Sequence, residues 1–179
     1  QIVDFEYLNL KQNLRMVVLT DYIRKEYLVN QTSNQLPITK IGVLPIFEQL
    51  RRTNNQHVKI GVLTGSLVIV PASALDKLHS LAKDIGIDRI SFTPLSYDDQ
   101  FVIINSTDQI KHDIVHLVTQ TFELGCIEVL IGTKSLLGEG WDAPSINSLI
   151  LASFVGSYVL SNQMRGRAIR KDKTNTDKT

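Results

Sequence analysis

The sequence has a single cysteine, Cys126, so no internal disulfide can form and the pattern of a disulfide-stapled secreted domain is excluded. A cytoplasmic location is the expectation. It has no run of apolar residues long enough to span a bilayer and no charged n-region leading into an apolar h-region, so no membrane partner is expected. Charge of one sign is also missing: 19 Lys and Arg stand against 18 Asp and Glu, a formal net charge of +1. No global basic field draws the chain to nucleic acid, and any such contact must be local. Internal repeats and low-complexity segments are absent too.

What the chain does have is enough apolar material for one core. Its 179 residues are 43% hydrophobic and 21% charged, which suits one globular domain spanning residues 1–179. Opening at Gln1 and closing just past the basic stretch Lys171 to Lys178, it reads as a piece of a longer protein.

Short β-branched runs alternate with amphipathic stretches. Strands are expected at Arg15 to Thr20, Val58 to Leu63, Leu67 to Val70, Arg89 to Thr93, Phe101 to Ile104, Ile127 to Ile131 and Ser148 to Ala152. Helices are expected over Tyr22 to Leu28, Ile41 to Arg52, Ala74 to Ile85, Ser106 or Thr107 to Leu124, and Ser157 to Ile169, with Gly125 as the stop of the fourth. Buried strands interleaved with helices define an α/β fold with a mostly parallel central sheet. Ligands of such sheets gather at the strand carboxyl ends, here the loops after Leu19, Leu63, Ile131 and Ala152.

Two stretches carry the chemistry. Gln163-Met-Arg-Gly-Arg-Ala-Ile-Arg170 gathers three arginines around a glycine. Guanidinium groups are rarely buried unpaired, and Arg167 and Arg170, three apart on a helix, can present two rigid forks to phosphate oxygens. Ile131-Gly-Thr-Lys-Ser-Leu-Leu-Gly-Glu-Gly-Trp-Asp-Ala-Pro144 follows an expected strand, and its glycines suit a tight loop with exposed backbone amides.

The first stretch resembles motif VI of superfamily 2 helicases, Gln-x-x-Gly-Arg-x-x-Arg, and the second resembles motif V of the same family. They occur in the family order with a strand between them. Arg15 to Tyr22 resembles the motif IV strand, and Val62-Leu63-Thr64-Gly65 the strand after it, so the resemblance covers 14–65 and 107–170. It implies a three-layer, RecA-like second motor domain, of the DEAD/DEAH type, lacking the ATP-binding first domain. It further implies that Arg167 and Arg170 act as arginine fingers with Gln163 near the phosphates. Gly140 and Asp142 would reach the nucleotide, and Thr133, Thr64 and Gly65 the nucleic-acid backbone. ATP and Mg2+ are the implied cofactors, held mainly by the first domain. Glutamine rather than histidine at the head of motif VI favours DNA over RNA. Residues 66–105 depart from the simpler family pattern and read as an α/β insert at the sheet edge, with no task assigned.

Rival readings rest on less. Gly132-Thr-Lys-Ser135 ends like a phosphate-binding loop, but Thr133 separates the glycine from the lysine and Ile127 stands where another glycine is needed. The chain therefore carries no Walker A loop and is not expected to bind ATP tightly alone. His112 and His116 have zinc-protease spacing on a helix, but Asp113 replaces the usual glutamate and no third ligand follows, so no metal is expected. Trp141 suits a packing anchor better than a stacking surface. Asp98-Asp99 reads as a solvated turn. A non-catalytic nucleic-acid or protein binding module that keeps a helicase-like fold is the remaining alternative.

Overall fold

A computed structural model describes residues 1–28, 37–138 and 140–152. Among these residues seven strands form one mixed sheet: β1 (Met16–Thr20), β2 (Ile60–Leu63), β3 (Val68–Pro71), β4 (Ser91–Leu95), β5 (Asp98–Asn105), β6 (Val129–Thr133) and β7 (Ser148–Leu151), in the order β4-β5-β3-β2-β6-β1-β7. The helices are α1 (Ile2–Leu10), α2 (Val43–Arg52), α3 (Leu75–Asp84), α4 (Lys111–Glu123) and the single turn α5 (Lys134–Leu137).

The α/β class stands, but the mostly parallel sheet does not. The pairs β2·β6, β6·β1 and β1·β7 are parallel, whereas β2·β3, β3·β5 and β5·β4 are antiparallel. The cause is local. Only a short turn separates Leu63 from Val68, far too little chain for the crossover a parallel neighbour requires. The antiparallel half is the segment 66–105, which adds β3, α3, β4 and β5 to one edge of the sheet as its apolar runs predict. Its outermost strand, β4, carries Pro94, which cannot donate to a further strand.

Every residue of β1, β2, β3 and β6 is buried, so their side chains must alternate between two apolar layers. One layer joins Val17, Leu19, Val70 and Leu130 to Leu78 of α3 and Ile114, Val118 and Phe122 of α4. The other joins Met16, Val18, Val62 and Ile131 to Val3 of α1 and Val43, Leu44 and Phe47 of α2. Helices thus cover both faces. At the start of the sheet, the fully buried Asn147 accepts from the Arg15 amide (2.9 Å) and donates to the Asn13 carbonyl, fastening the entry of β7 to that of β1.

Three helix expectations change. The stretch from Tyr22 to Leu28 holds only a 3-10 turn at Lys25–Tyr27, because Arg24 takes a left-handed conformation (φ 60°) and breaks any helix before it starts. α4 begins at Lys111 without a side-chain cap, not at Ser106 or Thr107, and ends as expected before Gly125 (φ 87°). α1 was not foreseen: Ile2, Phe5 and Leu8 stay exposed while Val3 is buried, so apolar residues lie all round it and no amphipathic signal emerges. The expected helix from Ser157 to Ile169 lies outside the described residues.

Candidate nucleic-acid interface at the strand carboxyl ends

Parallel pairing fixes which loops become neighbours. Leu63 of β2 lies opposite Gly132 of β6, so the next residues, Thr64 and Thr133, come side by side; Thr133 in turn pairs with Thr20 of β1. Three threonines from three strands therefore line one end of the sheet. β5 runs in the same direction as β2, so Asn105 closes the row on its far side. Between the turn after β2 and the first turn of α4 opens a cavity of about 220 Å³, lined by Thr64, Gly65, Ser66, Asn105 and Lys111.

The Thr64 hydroxyl is committed to its own turn: it accepts from the Leu67 amide (2.8 Å) and the Ser66 amide (3.3 Å) and donates to the Leu67 carbonyl (2.8 Å). With Thr64 2% exposed, its part is to shape the turn, and the following Gly65 faces open space. Thr133, also buried, caps α5 through its extended backbone and accepts from the Ser135 hydroxyl at 3.2 Å. Gly132 before it allows this approach. A Cβ there would stand 2.7 Å from the Leu63 carbonyl and 2.3 Å from the Leu137 side chain.

The loop beyond α5 is set by Trp141. Its indole packs against Phe122, and its Nε1–H donates to the Thr119 hydroxyl at 2.9 Å, inside the layer beneath α4. Burying Trp141 turns its two neighbours outward, so Gly140 (φ 75°) and Asp142 are both exposed. Trp141 is the packing anchor the sequence suggests.

Two features of this end were missed in the sequence. The Lys134 ammonium, 8% exposed, lies 3.2 Å from Asp21, which tethers the loop after β1 to α5. Tyr22, next in that loop, is 60% exposed, with the Arg24 guanidinium 4.5 Å from its ring centre. No local motif signals the Lys134–Asp21 contact, because it depends on β1 and β6 being adjacent.

A second missed cluster joins α2 to the insert. Glu48, fully buried, is bound by Arg51 (2.8 Å), by Arg52 (3.3 Å) and by the Tyr97 hydroxyl, which donates at 2.7 Å. Arg51 also reaches Asp98 at 3.3 Å and lies over the Tyr97 ring. Asp98 is thus an ion-pair member, not the solvated turn residue the sequence suggests. Burial alone would lower the Arg51 pKa, but the hydrogen bonds and charge of Glu48, helped by Asp98, raise it. Burial first, then the Glu48 carboxylate, push Tyr97 well above the usual tyrosine range. The signal available was Glu48, Arg51 and Arg52 at helical spacing among the apolar residues of α2. A cavity of about 350 Å³ opens beside this cluster, lined by Asn54, Lys59, Ser73 and Gln100, at the end of the sheet opposite the threonine row.

His112 and His116 are exposed on α4, and among the described residues no three His, Cys, Asp or Glu side chains gather where they could hold a metal ion. Among the same residues, no helix is long and apolar enough to cross a membrane. Gln163, Arg167 and Arg170 lie outside the described residues. Comparison with protein-family models, curated proteins and solved structures gives no match to this chain.

Proposed function

We propose that the chain is the second, RecA-like domain of a superfamily 2 helicase or translocase, supplying arginine fingers and backbone contacts to an ATP-driven motor that acts on nucleic acid, DNA in preference to RNA. One observation carries the reading. The two loops whose sequences resemble backbone-contacting motifs, at Thr64-Gly65 and Thr133, lie on adjacent parallel strands at the carboxyl end of the sheet, where α/β proteins place their ligands.

In this reading an ATP-binding domain of the same protein holds ATP and magnesium. The exposed Gly140 and Asp142 fit an edge contact to a nucleotide held by another domain, and a side chain at Gly140 would meet open space. ATP supplies the phosphoryl group. Arg167 and Arg170, with Gln163 beside them, would neutralise charge on the γ-phosphate oxygens when the domains close. Buried Thr64 and Thr133 would act mainly by presenting main chain, including Gly65, to phosphates, which gives affinity without base preference.

The decisive experiment replaces Arg167 or Arg170 with alanine in the protein that also carries the ATP-binding domain. Turnover should fall by about three to five orders of magnitude with ATP affinity nearly unchanged, and lysine should rescue poorly. Near-normal turnover in both alanine variants would instead favour a non-catalytic binding module.

A further inference from the structure

The loop leaving β1 carries an arrangement that the motif resemblance does not account for. Lys134 is a cation with its side chain only 8% exposed, and among the described residues it pairs with Asp21 at 3.2 Å, itself 41% exposed. The contact is charge to charge without hydrogen-bond alignment, and among the described residues the ammonium has no hydrogen-bond acceptor. A lysine head group can donate three hydrogen bonds, and burying it with so few partners is costly. Such a site gains most from an incoming oxyanion. Asp21, 41% exposed, has room to turn towards solvent as the oxyanion takes its place.

Beside it, Tyr22 presents an aromatic ring to solvent from a fixed backbone. Its carbonyl accepts from the Val43 amide at 2.8 Å, and the Ile23 carbonyl accepts from the Leu44 amide at 3.0 Å, so the loop is pinned to the first turn of α2. The Arg24 guanidinium lies 4.5 Å from the ring centre. A ring held in this way loses little freedom when a flat ligand settles on it.

We propose that Tyr22 and Lys134 form a one-nucleotide site for single-stranded nucleic acid at the carboxyl end of β1, in which a base stacks on the Tyr22 ring and a phosphate displaces Asp21 from Lys134. The site rests on the nucleic-acid reading above and adds to the β1 end of the threonine row the loop that follows Thr20. It reads no sequence, because every base offers a stacking face and every nucleotide a phosphate.

The test is fluorescence anisotropy of this chain with a labelled oligothymidylate of about 16 nucleotides across a salt series. Lys134→Ala should weaken binding and reduce the salt slope by about one, while Lys134→Arg retains the slope. Asp21→Asn should tighten binding, and Asp21→Asn combined with Lys134→Ala should match Lys134→Ala alone. Tyr22→Ala should weaken binding by roughly 5- to 150-fold, Tyr22→Phe should not, and an abasic oligomer should be indifferent to either change. Circular dichroism and a melting curve check that each variant is folded. If the wild-type chain binds with a salt slope but the Tyr22 and Lys134 variants match it, the proposed site falls while the threonine-row reading survives. If the wild type does not bind, both fall.

Discussion

The Tyr97 hydroxyl donates a 2.7 Å hydrogen bond to Glu48, so the turn between β4 and β5 is fastened to α2 by a carboxylate that also holds two arginines. Removing that carboxylate takes the closest counter-charge from two mostly buried guanidinium groups. Glu48→Ala should therefore cost about 3–5 kcal/mol in urea unfolding, and Glu48→Gln less, because the amide keeps an acceptor. A loss below about 1 kcal/mol for the alanine variant would mean that the arginines find solvent easily.

Tyr97 also gives the fold an alkaline limit. Its pKa is raised on folding, so the stability it contributes is complete below the unfolded tyrosine value near 10 and is lost as pH climbs above it. Tyr97→Phe should cost about 1–2 kcal/mol at neutral pH but flatten the decline of stability above pH ~10. Parallel alkaline profiles for the two proteins would contradict the assignment.

Gly132→Ala probes the approach of β6 to β2. Its new methyl group would press on the Leu63 carbonyl, which is main chain and cannot rotate away. A loss of about 1–3 kcal/mol is expected. Oligonucleotide binding should weaken as well, since Thr133 follows directly; unchanged binding would separate this contact from the interface.

His112→Ala and His116→Ala should shift stability by no more than about 0.5 kcal/mol, as for other exposed substitutions. Zinc should leave the melting temperature of the wild type unaltered. A zinc-dependent rise abolished by either variant would revive the metal reading.

What the sequence discloses, and what it hides, follows from the range of each interaction. Strands such as Val68–Pro71 and helices such as Val43–Arg52 are legible because apolar periodicity is a local property. Trp141 as an anchor is legible too, from its size and its place directly after Gly138 and Gly140. The direction of β3, β4 and β5 is not, because it depends on how short the connection after Leu63 is and which edge the chain then joins. The Lys134–Asp21 pair is equally hidden, since its members follow two strands distant in sequence. α1 escapes for the opposite reason: its pattern is local but apolar on every side.

The place of β1 between β6 and β7 has a consequence for how the protein is made. Met16 pairs with Val129 on one side and Ser148 on the other, so β1, the first of these seven strands to be made, waits for β6 and β7. Until then the nascent chain holds β2, β3, β4 and β5, while the fully apolar Met16–Leu19 has neither neighbour. Contacts this distant are slow to close and leave a sticky segment exposed in the meantime. Chain release before residue 148 should leave a product that chaperones retain, and slowing synthesis between β1 and β5 should not help this domain fold.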